Sequence, residues 1–318
     1  MAGTGGTLLT NAFHTFGATG NREDLTNFIS MISPTDTPAY DSFGTVGCAA
    51  TLHEWQTDKL RAAAANAAVE GKTFSAAART PTDRLSNRTQ IFTEEFRVTE
   101  TQQVVNKAGR GNEGAYQLMK AGKELKNDME WTLFDYSVSS SGAAGSTTAP
   151  RFMKNLHYWV INVTGNTGYS GEWNAASPDP STAFCADAVL AEATFNQILQ
   201  DIWDEGGRPN AVYTGGALRR MVAGWGTSTS RVWDGSKKIT YAVDVYESTF
   251  GVLQLKLERH SFSSMGYILD ESMFKKSVLI PVGMKQIAPT GLGDNYMLRT
   301  EWTLESRNAS GCGFFLSA

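Results

Sequence analysis

Cysteine and histidine are scarce in this sequence, and neither forms a recognisable site. The 318 residues include 3 cysteines and 4 histidines, all far apart along the chain. No CxxC, HExxH, EF-hand or GxSxG pattern is present, which excludes the zinc, redox, calcium and hydrolase sites that those motifs mark. The odd number of distant cysteines, Cys48, Cys185 and Cys312, indicates buried thiols in a reducing compartment. We expect no metal, no cofactor and no catalytic residue.

Long apolar runs and an excess of positive charge are also missing. No stretch of about 18 apolar residues occurs, so a transmembrane helix is not expected. Residues 1–10 lack the basic and apolar regions of a secretory signal. The formal net charge is −4, which argues against a protein that grips nucleic acid through charge. We therefore expect no membrane partner and no sequence-specific binding of nucleic acid.

The residues that are present indicate a folded protein of helices and strands. Apolar residues make up 41% of the chain, enough for a sizeable core. Apolar spacing predicts a long helix over 112–136. A second helix is predicted from Thr194, which fits a capping box with Gln197, to the glycines at 206 and 207. The last third favours strands, including a hairpin over 239–258. Because the strands do not alternate with helices, we predict an α+β fold.

A long segment between two predicted strands, at 49–57 and 88–100, lacks the residues for a core of its own. Its large apolar residues are few: Leu60, Val69, Phe74 and Leu85. Two interpretations remain, a disordered loop or a projecting hairpin that is ordered by a neighbouring molecule. Basic and acidic residues alternate here, a pattern that favours ion pairs to a neighbouring subunit. We predict inter-subunit contacts at Lys59, Arg61, Glu70, Lys72, Arg79, Asp83, Arg84 and Arg88.

Two features suggest alternative functions. The run from Gly109 to Gly114 has the form GxGxxG before a helix, which would suit a nucleotide-binding enzyme if a buried strand preceded it. Residues 104–107 do not look like such a strand, so we interpret the run as a glycine-rich turn. Trp225 and Trp233 lie in a loop rich in small polar residues. They would suit a sugar-binding tail or spike protein, although packing is the ordinary use of tryptophan.

Short motifs in a fixed order resemble those of one group of tailed-phage major capsid proteins. They extend over nearly the whole chain and include Asn21–Leu25, Ile32–Pro38, Leu52–Asp58, Ala67–Gly71, Arg88–Phe92, Ala121–Glu130, Gly206–Pro209, Phe250–Gly251, Leu269–Asp270 and Glu301–Glu305. The resemblance implies the Hong Kong 97-type capsid fold. It implies an N-terminal arm (1–47), an E-loop and its base (48–106), a P-domain spine helix (107–136), an A-domain with a central sheet and flanking helices (137–275), P-domain strands (276–308) and a C-terminal strand returning to the A-domain (309–318).

The function that the resemblance implies is structural. Copies of the chain would form pentamers and hexamers that close an icosahedral shell around double-stranded DNA, assembled in the host bacterial cytoplasm. A portal and cement or decoration proteins are implied partners. Because the sequence starts directly at the arm, we expect a separate scaffolding protein. Some relatives crosslink an E-loop lysine to an asparagine. Here Lys59 or Lys72 would pair with Asn295 or Asn308, but no matching motif is present, and we interpret both lysines as structural.

We also predict from the sequence that a chain lacking about Leu60 to Leu85 stays soluble and folded but forms no stable shells. These residues contribute little apolar surface to a core of their own. Their removal should therefore affect contacts between molecules more than the fold of one molecule.

Overall fold

A computed structural model describes residues 29–61, 63–73, 76, 78–135, 141–161, 191–225, 244–261, 265–289, 291–309 and 311–316. These residues form helices α1 (Pro38–Ser42), α2 (Glu100–Val104), α3 (Glu113–Phe134), α4 (Leu156–Ile161), α5 (Glu192–Asp204) and α6 (Gly216–Trp225). Their strands are β1 (Gly44–Gly47), β2 (Leu52–Thr57), β3 (Asp83–Arg88), β4 (Gln90–Thr99), β5 (Ser141–Ala143), β6 (Phe152–Lys154), β7 (Ala211–Thr214), β8 (Val245–Ser248), β9 (Gly251–Leu257), β10 (Met265–Leu269), β11 (Phe274–Ile287), β12 (Gly293–Ser306) and β13 (Gly313–Leu316).

The strands form two main sheets and two small hairpins. One sheet has the order β1-β11-β12-β4, and its two longest strands, β11 and β12, pair antiparallel from Phe274 opposite Ser306 to Ile287 opposite Asn295. The other sheet has the order β13-β10-β7-β9-β8. β2 pairs with β3, and β5 pairs with β6. The α+β class is therefore confirmed.

Helix α3 is the longest helix described, and its position follows from its apolar stripe. Leu125, Met129 and Leu133 recur at four-residue steps and are buried, which directs one face of the helix onto β4 and β12. The Asn112 side chain accepts a hydrogen bond from the Ala115 N–H at 3.0 Å and caps the first turn. The predicted helix over 112–136 is confirmed, with bounds two residues shorter at its C-terminal end.

Two hydrophobic clusters fill the interior. The larger one joins α1, α3 and α4 to both main sheets and includes Trp302, Phe134 and Tyr267. The smaller one packs α5 and α6 against the five-stranded sheet, with Phe195 and Phe315 near its centre. The aromatic residues that made a large core plausible from composition are thus distributed between the two clusters.

Two sequence expectations need correction or lie partly outside the described residues. The capping box at Thr194 is wrong, because α5 begins at Glu192 after Ala191, and Gln197 instead donates to the Asp201 carboxylate at 2.9 Å. The hairpin predicted over 239–258 is present as β8 and β9, with residues 239–243 outside the described part.

The C-terminal end of α5 yields a stability prediction. Gly207 donates its N–H to the Ile202 carbonyl at 2.9 Å, and a Cβ at this position would lie 2.4 Å from the backbone oxygen of Gly311. Because backbone atoms cannot move away cheaply, we expect Gly207→Ala to lower the free energy of unfolding by about 2 kcal/mol. Gly122→Ala is the matched control, since it adds a methyl group to α3 in open space and should raise stability by roughly 0.5–1 kcal/mol. Urea unfolding followed by circular dichroism would compare them, and equal stabilities would refute the packing argument.

Candidate assembly surfaces

The residues between β2 and β3 form a projecting loop, defined here as residues 58–82. Its described residues are exposed throughout, and two of its apolar side chains, Leu60 and Val69, are 98% and 79% exposed. A turn at Val69 to Lys72 is closed by a backbone hydrogen bond of 3.2 Å, with Gly71 at φ +78°. Of the two interpretations of this segment, the projecting hairpin is supported, because β2 and β3 pair over six residues at its base.

Two long strands, β11 and β12, hold the base of this hairpin through side-chain hydrogen bonds. His53 lies 3.0 Å from a Glu305 oxygen and 3.2 Å from the Ser277 hydroxyl. The Trp55 indole donates to the Ser306 carbonyl at 2.8 Å. Burial raises the pKa of Glu305, but hydrogen bonds from Arg307, His53 and Ser277 outweigh it and hold the pKa below its ordinary value. The hairpin therefore projects from a fixed base.

The strand β3 carries a second anchor. The Asn87 side chain is buried and donates to the carbonyl oxygens of Lys154 and Leu304, at 2.7 Å each. It also accepts the Lys154 N–H at 2.7 Å. Leu85 on the same strand packs against the larger cluster. Leu85 thus belongs to the anchored base and not to the projecting loop.

The eight residues predicted to contact a neighbouring subunit divide into two groups. Lys59, Arg61 and Arg79 lie around one concave surface of the loop, beside Asp58, and Glu70 and Lys72 flank the glycine of the turn. Asp83, Arg84 and Arg88 lie on β3. Arg84 forms an ion pair with Glu54 of β2 in the same chain, and Arg88 is half-buried opposite Leu52.

An acidic patch, defined as Glu94, Glu124 and Asp128, lies where β4 meets α3. Burial, followed by the nearby charges of Glu124 and Asp128, raises the pKa of Glu94. Burial and Glu124 likewise raise the pKa of Asp128. Lys120 pairs with Glu124 at 3.3 Å, through side chains that are about half exposed. The mutual repulsion indicates that the carboxylates of this patch outweigh the positive charge around them.

The glycine-rich turn does not have the surroundings of a nucleotide site. Helix α2, and not a strand, precedes it. Near the start of α3, Glu113 is bound by Arg110 at 2.6 Å and by Gln117 at 2.8 Å. The hydrogen bond from Gln117 outweighs burial and, with Arg110, lowers the pKa of Glu113. The Glu113 carboxylate at the start of this helix would repel a phosphate, and the Asn112 side chain already accepts the Ala115 N–H. The nucleotide interpretation is therefore not supported.

The tryptophans and asparagines singled out in the sequence have internal roles where the structure describes them. Trp225 packs against Phe195, with ring centroids 5.4 Å apart, and Trp233 lies outside the described residues. The Asn295 side chain donates to the Ala288 carbonyl at 3.0 Å, and the Asn308 side chain accepts the Gly311 N–H at 3.1 Å. Trp225 thus serves core packing, and both asparagines stabilise turns of their own chain.

The described residues contain neither a metal-binding cluster nor a membrane-spanning helix. No group of three or more histidine, cysteine, aspartate or glutamate side chains there could hold a metal ion. No helix in the same ranges is long and apolar enough to cross a membrane.

A family model and one relative identify the chain as similar to phage major capsid proteins, and solved structures share its fold. The family model described as SU10 major capsid protein matches residues 9–317. The major capsid protein of Escherichia phage Phieco32 is 25% identical over 341 residues, which cover 96% of this chain and 97% of that protein. Two solved capsid structures share the fold at low identity. That of Cyanophage P-SCSP1u has a TM-score of 0.63 at 9% identity, with 98% of this chain and 97% of that chain covered. That of a native GTA particle has a TM-score of 0.62 at 8% identity, covering 96% and 97%.

The family match and the shared fold bear on the whole chain, including the hairpin and its anchored base. The resemblance seen in the ordered motifs, and the Hong Kong 97-type fold that it implied, are both confirmed. This chain belongs to the SU10 major capsid protein family and is a structural subunit of a phage capsid shell.

Proposed function

We propose that copies of this chain associate as pentamers and hexamers and close an icosahedral shell around double-stranded phage DNA. The observation that carries this proposal is the projecting loop, which exposes Leu60 and Val69 while its base is locked to the body by buried hydrogen bonds. An exposed segment on an anchored base can make most of its contacts only with another molecule. The role is structural, with no catalytic step.

The projecting loop carries the charge for such a contact. Its cations are Lys59, Arg61, Lys72 and Arg79, against the two carboxylates of Asp58 and Glu70. The acidic patch on α3 and β4 has the opposite sign. We infer that the loop of one subunit lies over the acidic patch of a neighbour, with the five predicted residues of the loop, Lys59, Arg61, Glu70, Lys72 and Arg79, in the contact region. Asp83, Arg84 and Arg88 lie on β3 at the edge of this contact. Complementary charges fix how two such surfaces align, and added salt weakens the attraction between them.

A charge exchange tests this contact. Changing Lys59, Arg61 and Arg79 together to Glu should reduce shell yield strongly, because like charges then face one another. Changing Glu94, Glu124 and Asp128 to Lys should have the same effect. Combining the two sets in one chain should restore assembly. Combining the loop set with Asp204, Glu205 and Glu247 changed to Lys gives the same net charge and should not restore it. Sedimentation velocity and negative-stain microscopy measure the yield, and a combined variant no better than either single set would refute the pairing.

Other partners follow from the shell role. We propose that a separate scaffolding protein guides assembly in the host bacterial cytoplasm, that a portal occupies one vertex, and that cement or decoration proteins bind the outer surface. The edge of β11 offers one surface for such a protein. Its residues 281–287 are exposed, and Val282 and Met284 present apolar side chains there.

A further inference from the structure

The segment from Met31 to Asp41 lies along α3 and is held at successive turns of that helix. Lys123 contacts the Met31 sulfur at 3.4 Å, and the Asn127 amide donates to the Pro34 carbonyl at 3.2 Å. Lys126 pairs with Asp41 at 2.8 Å. These three contacts are solvent-exposed, so each contributes little to holding the segment.

The fourth contact is buried and of a different kind. Glu130, on the same side of α3, is 0% exposed. One of its oxygens accepts the Ala39 N–H at 2.8 Å, and the other accepts the Tyr40 N–H at 2.6 Å. These N–H groups belong to the first turn of α1, where no partner exists within the helix. Glu130 therefore supplies the hydrogen bonds that fix the segment to the body.

A second buried carboxyl group meets Glu130 from the residue that follows β9. Glu258 is 3% exposed, and its Oε1 accepts the His260 N–H at 2.8 Å. Its Oε2 is sealed from solvent and receives no hydrogen bond from any donor of the described residues. The Glu258 carboxyl nevertheless hydrogen-bonds to Glu130. Two carboxyl groups can do so only when one carries a proton, so the pair holds a proton.

The surroundings favour keeping that proton. The nearest cation, Lys276, is committed to the Tyr40 carbonyl and lies 4.0 Å from the centre of the Tyr40 ring. Burial, followed by the hydrogen bond and charge of Glu130, raises the pKa of Glu258 to about 9. The other charged or titratable groups around the pair are Asp36, Asp41, Lys126, Asp128, Tyr213, Lys256, Arg259, His260 and Glu271.

We propose that Glu130 and Glu258 form a proton-dependent clasp that holds the N-terminal segment on its own subunit at neutral pH and releases it when the proton leaves. On release the proton passes to base in the solvent, and two adjacent buried carboxylates remain. Their repulsion and their demand for hydration separate α1 from α3. The clasp acts within one subunit and does not depend on the contacts of the projecting loop.

The direction of the pH effect follows from the raised pKa. An ordinary glutamate pKa is 4.5, so the clasp stabilises the folded chain fully below that pH. The stabilisation decreases as pH rises and is lost once pH passes about 9. At pH 7 the clasp is closed in nearly all molecules, and alkaline conditions open it.

Millisecond hydrogen–deuterium exchange on the full chain tests the clasp at residues 31–44. Corrected for intrinsic rates, protection at Ala39 and Tyr40 should fall about tenfold at one pH unit above the Glu258 pKa. Glu258→Gln keeps a donor toward Glu130 but cannot titrate, so its protection should change less than about twofold over the same range. Glu124→Gln, an exposed site on the same helix, should behave as wild type.

Parallel protection profiles for wild type and Glu258→Gln would overturn the proposal. If Glu258→Gln fails to fold, infrared spectroscopy of the wild-type chain decides the question. We expect a protonated carboxyl band at neutral pH that disappears on raising the pH to about 10. Absence of that band at neutral pH would overturn the proposal equally.

Discussion

A chain whose residues 60–80 are replaced by a short Gly-Ser linker is expected to fold normally and to form no closed shells. The deletion expected from the sequence extended to Leu85, but Leu85 packs on the core and Asp83 opens β3. The narrower replacement keeps the paired strands β2 and β3 and their anchors at His53, Trp55 and Asn87. The replacement removes only the exposed segment. We therefore expect it to remove contacts between subunits and to leave the fold of each subunit intact.

The control variant changes two residues of the loop and keeps the loop at its full length. Replacing Leu60 and Val69 by Ser keeps the loop and its charges but removes two exposed apolar side chains, and should weaken assembly without abolishing it. Circular dichroism and thermal unfolding would verify that both variants fold as wild type does. Intact shells from the 60–80 replacement, seen by negative-stain microscopy, would contradict the role given to the projecting loop.

Trp302→Ala is expected to cause the largest loss of stability among single substitutions in the core. Trp302 is 1% exposed on β12. Its ring stacks on Phe92 of β4 at 5.6 Å and meets the edge of Tyr40 of α1 at 5.6 Å. Removing it leaves a cavity where three elements meet, because α1 and the sheet cannot both collapse into the space. We expect the free energy of unfolding to fall by about 3–5 kcal/mol.

Trp131→Ala provides the matched comparison. Trp131 lies on α3 but is 52% exposed, so its removal from the unassembled chain should cost less than about 1 kcal/mol. Urea unfolding of both variants, followed by circular dichroism, measures the difference. Equal losses for the two tryptophans would show that Trp302 does not have the central packing role assigned to it.

The sequence predicts well the elements whose signals are local. The four-residue spacing of Leu125, Met129 and Leu133 determines a helical face, and that face is buried as expected. The scarcity of large apolar residues between the predicted strands at 49–57 and 88–100, which correspond to β2 and β4, likewise predicted a segment unable to bury itself. Both signals come from residues that are close together in sequence, so they can be recognised without knowledge of the tertiary structure. The sequence did not predict β3, which lies within that segment.

The sequence does not predict the contacts that join distant segments. Glu130 looks like an ordinary surface glutamate in its local context, yet it accepts hydrogen bonds from the Ala39 and Tyr40 N–H groups, about ninety residues away in sequence. The anchor of His53 with Ser277 and Glu305 is of the same kind. At α5, tertiary packing overrides the local capping signal, because the helix extends back to Glu192. Such contacts arise only from the complete topology.

Cryo-electron microscopy of shells assembled from the full chain is the most direct test of the role given to the projecting loop. The account predicts closed shells of pentamers and hexamers in which residues 58–82 of each subunit lie on a neighbouring subunit, with Lys59, Arg61 and Arg79 near the acidic patch on α3 and β4. Shells in which this loop extends into solvent or folds back on its own subunit would contradict the account.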